Sequence, residues 1–167
     1  MTAPAVIEGR AWVFADSNID TDQIMPSGAF RMAPDEQVRL VFSSYRPGWV
    51  DQVEPGDLVV AGRNFGTGSS RPGAQLLARL GIVALIAESI NDLFFRNCVN
   101  YALPPIECPG IVENVREGDV IRVDLAEGTC TNTYTGVSLP GTRLPDMLWE
   151  IIVAGGLYEA LRKEGYI

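Results

Sequence analysis

The sequence predicts a mixed α/β fold, and three observations carry that reading. Over residues 57–101 a strand, a glycine-rich loop, a helix, an apolar strand and a second helix follow one another, the order of a parallel α/β unit. Residues 82–87, IVALIA, are an unbroken apolar run, which suits a strand buried on both faces. After residue 119 come short strands separated by turn residues, which suit antiparallel pairing.

Taken in order, residues 11–15 (AWVFA) read as a strand, followed by the polar turn Asp16-Ser17-Asn18. A short helix is expected over 35–44, entered through Pro34. The turn signal Glu54-Pro55-Gly56 precedes the strand 57–61, DLVVA. Residues 62–71 form a glycine-rich loop. The helix after it, 72–80, has Pro72 at its first position, Leu76, Leu77 and Leu80 at helical spacing, and Gly81 as its stop. Residues 91–101 read as a helix and 120–125 as a strand. Residues 129–134 partner a strand near 136–139. A C-terminal helical region spans 144–163, interrupted at Gly155-Gly156. No repeat, low-complexity tract or linker divides the chain, so one domain over 1–167 is expected.

Composition narrows the chemistry. The chain is 47% hydrophobic and 20% charged, ordinary for a globular protein. A net charge of −8 disfavours nucleic acid and anionic membranes as partners, because both repel it. An anionic substrate therefore needs a locally positive site. With no histidine, Ser-His-Asp triads and histidine bases are excluded. Three scattered cysteines, Cys98, Cys108 and Cys130, show no metal-binding spacing and suit a reducing cytoplasm. No signal-peptide pattern and no run of about 18 apolar residues appears.

The stretch RNFGTGSSRPGAQLLARLGI, residues 63–82, concentrates the candidate chemistry. Gly66 and Gly68 permit backbone angles that let successive N–H groups converge on an anion. The following helix start adds a positive end, and Arg71 offers a planar fork matched to a carboxylate. The motif is neither a P-loop nor a dinucleotide fingerprint. The plainer reading is that Ser69 or Ser70 caps the helix, and spacing alone leaves both open. Elsewhere, Ile19-Asp20-Thr21-Asp22 reads as a solvated Asx turn, Arg31 as a solvated loop arginine, and the cysteines as small buried hydrophobes.

Four strings, GRAWVFADSNIDTDQIMP, GDLVVAGRNFGTGSSRPGA, IVALIAESINDLFFRNCVNYALPPIEC and LPDMLWEIIVAGGLYEAL, change the weighting. Together they resemble the small subunit of 3-isopropylmalate dehydratase, in the short form shared with the homoaconitase small subunit, from Gly9 to Leu161. The Gly-Ser-Ser-Arg loop with an upstream Asp-Thr-Asp is specific to the aconitase superfamily. The resemblance implies a swivelling β/β/α domain like the fourth domain of aconitase, with a mixed sheet and flanking helices. It implies a separate large subunit carrying a 4Fe–4S cluster, and a small hydroxy-dicarboxylate substrate. It implies Ser69 as the base, Ser70 and Arg71 as carboxylate-binding residues, Asp22 as an active-site aspartate and Arg31 as a second carboxylate-binding arginine.

The chain departs from that pattern in three places. Thr67 stands for the usual cysteine, and Pro72-Gly73 for Glu-His. Ser27-Gly28-Ala29-Phe30 replaces an Ala-Arg-Tyr-Leu string in the loop that selects the substrate's substituent. Arg31 leans toward isopropylmalate over homoaconitate chemistry. Citramalate, 2,3-dimethylmalate and homocitrate are the alternative substrates, and a non-catalytic anion-binding or assembly domain is the alternative role.

Overall fold

The strand Val6–Phe14 (β1) is long because it serves two partners in turn. Residues 6–10 pair antiparallel with Val120–Asp124 (β5), and residues 11–14 pair parallel with Leu58–Ala61 (β2). In the computed structural model, residues 6–68 and 71–167 are described. Parallel order continues from β2 through Leu85–Ala87 (β3) to Pro105–Glu107 (β4). Antiparallel order continues from β5 through Thr129–Asn132 (β6) to Ser138–Pro140 (β7). The result is a mixed seven-stranded sheet in the order β4-β3-β2-β1-β5-β6-β7. It curls, so that its two edges approach: beyond β7, the Thr142 N–H donates to the Glu107 carbonyl at 2.8 Å.

Strand periodicity divides the interior into two cores. Trp12, Phe14, Val59, Ala61, Leu85 and Ala87 face one side. Ala11, Leu58, Val60, Ala84 and Ile86 face the other, with Ile121 and Val123 of β5. All four residues of β2 are buried, as a strand covered on both faces requires. The first core is closed by Gly73–Arg79 (α3) and Asp92–Asn100 (α4), and by the aromatic group Phe14, Phe42 and Trp49. Phe14 stacks on Phe42 at 4.3 Å, and Trp49 meets both rings edge-on at 5.4 and 5.3 Å. Each such ring contributes about 1.5–3 kcal/mol by leaving water. The helices Asp146–Ala154 (α6) and Leu157–Lys163 (α7) flank the sheet, broken between them at Gly155-Gly156 as the sequence predicts. No helix among the described residues is long and apolar enough to cross a membrane.

One buried carboxylate ties β1 to the start of β2. Asp57 accepts from the Trp12 indole at 2.7 Å, from Arg10 Nη2 at 2.9 Å and from the Glu54 N–H at 2.9 Å. Burial pushes this carboxyl up, but the Arg10, Glu54 and Trp12 hydrogen bonds outweigh it and hold it below its ordinary value.

Several elements differ from expectation. The helix expected over 35–44 is shorter, Pro34–Arg39 (α2). Phe42 adopts a left-handed conformation, φ 57°, and turns its N–H to the Ile24 carbonyl at 2.9 Å. The four-residue helix Thr21–Ile24 (α1) overlaps the segment expected to be an Asx turn, and a second one, Ile111–Asn114 (α5), lies in a stretch to which the sequence assigned no element. β4 is a strand despite its leading prolines, because it sits at an edge beside β3. The helix after the glycine loop opens at Gly73, which makes Pro72 (φ −76°, ψ 44°) its N-cap and not its first helical residue. Ser69 and Ser70, offered by the sequence as caps, lie outside the described residues.

Candidate active site

Asp22 and Arg71 stand on loops that leave where the parallel strands β1, β2 and β3 end, the usual end for ligand sites in open α/β sheets. Three loops leave there and lace together by main-chain bonds. The Asn18 N–H donates to the Arg63 carbonyl at 2.8 Å, Gly66 to Ile19 at 2.7 Å and Thr21 to Thr67 at 2.8 Å. On the other side, Phe65 donates to the Ser89 carbonyl at 3.1 Å and Asn91 to the Phe65 carbonyl at 2.9 Å. The glycine loop is thus a short, irregular extension of the sheet.

Its glycines are sterically required. Gly66 has φ 82°, and a Cβ there would lie 2.2 Å from Phe94 Cγ. Gly68 has φ 97°, and a Cβ there would meet Thr21 Oγ1 at 2.9 Å. The loop therefore lies against the first turn of α4 on one side and of α1 on the other.

α1 begins with a reciprocal cap. Asp20 Oδ1 accepts from the Gln23 N–H at 2.8 Å, and Gln23 Oε1 accepts from the Asp20 N–H at 2.9 Å. The Asx turn read from the sequence is this cap. It leaves Asp22 on the open face, with its side chain 69% exposed. Arg71, only 17% exposed, holds Nε 2.9 Å from Asp22 Oδ1 in an ion pair and donates Nη1 to the Met25 carbonyl at 2.8 Å. Two anchors on different groups fix the plane of the guanidinium, and Nη2 makes no bond to a described residue. Such a group can present a planar, oriented positive charge to a carboxylate.

Of the residues singled out from the sequence, the structure brings Asp22 and Arg71 together. Arg31 lies on the exposed segment after the 3-10 turn Ser27–Ala29, between exposed Phe30 and Met32. No hydrogen bond or ion pair among the described residues ties it to Asp22 or Arg71. Ser69 and Ser70 lie outside the described residues. Sequence reasoning missed Asn18 and Asn64, which join the same two loops side chain to side chain. Their available signal was asparagine at the end of each strand, where a left-handed residue turns the chain.

The cysteines do not fit an iron–sulfur cluster. Cys98 is buried on the core side of α4, while Cys108 and Cys130 are buried in the opposite core. Burial also pushes the Cys98 thiol up, against the thiolate a cluster needs. Among the described residues no three His, Cys, Asp or Glu side chains converge on a metal-sized space. A cavity of ≈ 570 Å³ lies at the opposite end of the sheet, lined by Ile7, Ile82, Pro104, Trp149 and Ile152. Its lining is mostly apolar, with Glu8 its one charged residue, and includes neither Asp22 nor Arg71. That pair sits on an open face.

Comparison with known proteins places the chain in a family. Residues 16–110 match the aconitase C-terminal domain, the segment holding Asp22, the glycine loop and α4. The chain is 44% identical over 162 residues to the isopropylmalate/citramalate isomerase small subunit of Methanocaldococcus jannaschii, covering 96% of each chain. It is 42% identical to 3-isopropylmalate dehydratase small subunit 1 of Methanopyrus kandleri, covering 96% of this chain and 95% of that one. The crystal structure of 3-isopropylmalate dehydratase from Methanocaldococcus jannaschii superposes with a TM-score of 0.88 at 32% identity, covering 96% of both chains. The chain therefore belongs to the 3-isopropylmalate dehydratase small-subunit family of aconitase-type hydro-lyases.

Proposed function

We propose that this chain, acting as one swivel-type domain, supplies the base and the carboxylate clamp of a heteromeric hydro-lyase. The enzyme moves a hydroxyl between adjacent carbons of a substituted malate, with 3-isopropylmalate and 2-isopropylmalate as the best-supported pair. The observation that carries this reading is Arg71, its guanidinium plane fixed by Asp22 and the Met25 carbonyl at the end of the glycine loop. In this reading Ser69 takes the proton from the carbon next to a substrate carboxylate and returns one during rehydration. Ser70 and Arg71 hold that carboxylate, Asp22 keeps Arg71 oriented at the reacting end, and Arg31 meets the second carboxylate. A serine is a weak base in water, so its activation depends on hydrogen-bond donors and positive charge in a closed site.

The open face around Asp22 and the misfit of the cysteines support a large subunit that closes the site and carries the 4Fe–4S cluster. Three free, buried thiols suit the reducing cytoplasm. The departures at Thr67 and Pro72-Gly73 keep a neighbouring substrate in view, and citramalate stands in the name of one relative. The test is co-expression with a cognate large subunit under anaerobic conditions, then assay on 3-isopropylmalate, citramalate, 2,3-dimethylmalate and homocitrate. Turnover is expected on 3-isopropylmalate, and Arg71→Lys should raise its KM by about 10- to 100-fold through loss of the planar fork. No turnover of any of the four with the cluster intact overturns the reading in favour of a non-catalytic anion-binding domain. Turnover confined to another of the four corrects the substrate.

A further inference from the structure

Among the described residues, four other than glycine have left-handed backbones, and two of these face each other across the site loops. Asn18 has φ 60° and Asn64 φ 52°, and Asn64 Nδ2 donates to Asn18 Oδ1 at 2.9 Å. Asn18 follows β1 on the loop that leads to Asp22, and Asn64 follows β2 on the loop that leads to Arg71. Their main chains are anchored as well. The Asn18 N–H donates to the Arg63 carbonyl at 2.8 Å, and the Asn64 N–H to Ser89 Oγ at 2.7 Å. Directly beyond them come the crossed bonds from Gly66 to Ile19 and from Thr21 to Thr67.

Asparagine takes the left-handed conformation more readily than other side-chain-bearing residues, and its amide can then bond locally. Two such residues placed opposite each other turn both strands outward and tie the turns together. The register they fix matters at Arg71. A slip of one residue along a strand moves the chain by about 3.3 Å, more than the 2.9 Å separation of the Arg71–Asp22 ion pair. We propose that Asn18 and Asn64 form an amide clasp that sets the register of the two loops and so positions Asp22 against Arg71. Both are positioning residues, since neither is assigned a contact with substrate. The proposal rests on the reading of Arg71 as the carboxylate clamp.

The test uses Asn18→Asp, Asn64→Asp and the double variant, each in the complex with the large subunit. Aspartate tolerates the left-handed turn, so backbone strain stays nearly constant. Either single variant keeps one donor facing one acceptor, because the remaining amide can rotate; the double variant has two acceptors and no donor. Each single is expected to keep kcat/KM within about twofold, and the double to lose about tenfold, chiefly in KM, a coupling of the size neighbouring groups show. Hydrogen exchange at the Thr21 and Gly66 amides should quicken about tenfold in the double alone. Asn18→Gly and Asn64→Gly add an uncharged check: each removes the whole bond, so their double should be no worse than either single.

Wild-type exchange at Thr21 and Gly66 in the Asp–Asp variant overturns the clasp. Faster exchange with unchanged KM overturns its role in positioning, provided Arg71→Lys raises KM in the same series. If Arg71→Lys also leaves KM unchanged, the carboxylate-clamp reading has failed, and the positioning role fails with it.

Discussion

Arg71 shows at the scale of one residue why a charge alone does not define a site. An arginine on an exposed loop would spend most of its time solvated, and an exposed ion pair contributes at most about 1 kcal/mol. Here the Met25 carbonyl adds a second anchor to Asp22, and the side chain is largely buried. The benefit is orientation more than stability. Gly66 is the steric counterpart. A methyl group there meets the Phe94 ring and occupies a left-handed backbone, so Gly66→Ala should cost about 2–4 kcal/mol, read as a lower midpoint in urea. Asp57 contributes to acid stability. Its carboxyl is held below the ordinary value in the folded chain, so its contribution is complete above the unfolded pKa of about 4 and fades as pH falls below it. Asp57→Asn should therefore lower stability by about 2 kcal/mol at neutral pH. It should also flatten the loss of Tm that the unmodified chain shows between about pH 5 and 3.

At the scale of elements, the parts legible in the sequence are those whose signal is local. β2, α3, α4 and the break between α6 and α7 follow from apolar spacing and glycine placement. β4 was not legible, because Pro104 and Pro105 speak against a strand and only pairing with β3 makes one. α1 has four residues, too few for periodicity, although its Asp20-to-Gln23 spacing is a cap signature that could have marked it. α2 ends early because Phe42 leaves the helix to join Phe14 and Trp49, a packing demand that no local pattern announces. The site behaves likewise. Asp22 and Arg71 can each be named from a motif, but their contact depends on three loops meeting at one end of the sheet. α4 also allows a test of packing. Cys98 is fully buried on it, its thiol pushed up by desolvation, so native-state labelling by a thiol reagent should proceed no faster than global unfolding. Rapid labelling in native buffer would show that α4 opens independently.

At the scale of the molecule, an acidic chain of net charge −8 presents one anchored arginine on an open face. Such a face binds a small carboxylate weakly by itself, because water competes for the guanidinium. A partner that covers it excludes water and strengthens each polar contact. On the proposed reading, this chain brings the clamp and the base, and a covering subunit completes the site. The most direct measurement is turnover of 3-isopropylmalate by the reconstituted heteromer carrying wild-type or Ser69→Ala chain at equal cluster content. The isolated chain should be inactive and the wild-type heteromer active. Ser69→Ala should assemble normally and lose turnover by about 10³-fold or more, as removal of a general base from the proton-transfer step demands. A Ser69→Ala heteromer that turns over at the wild-type rate would contradict the assignment of the base to this chain.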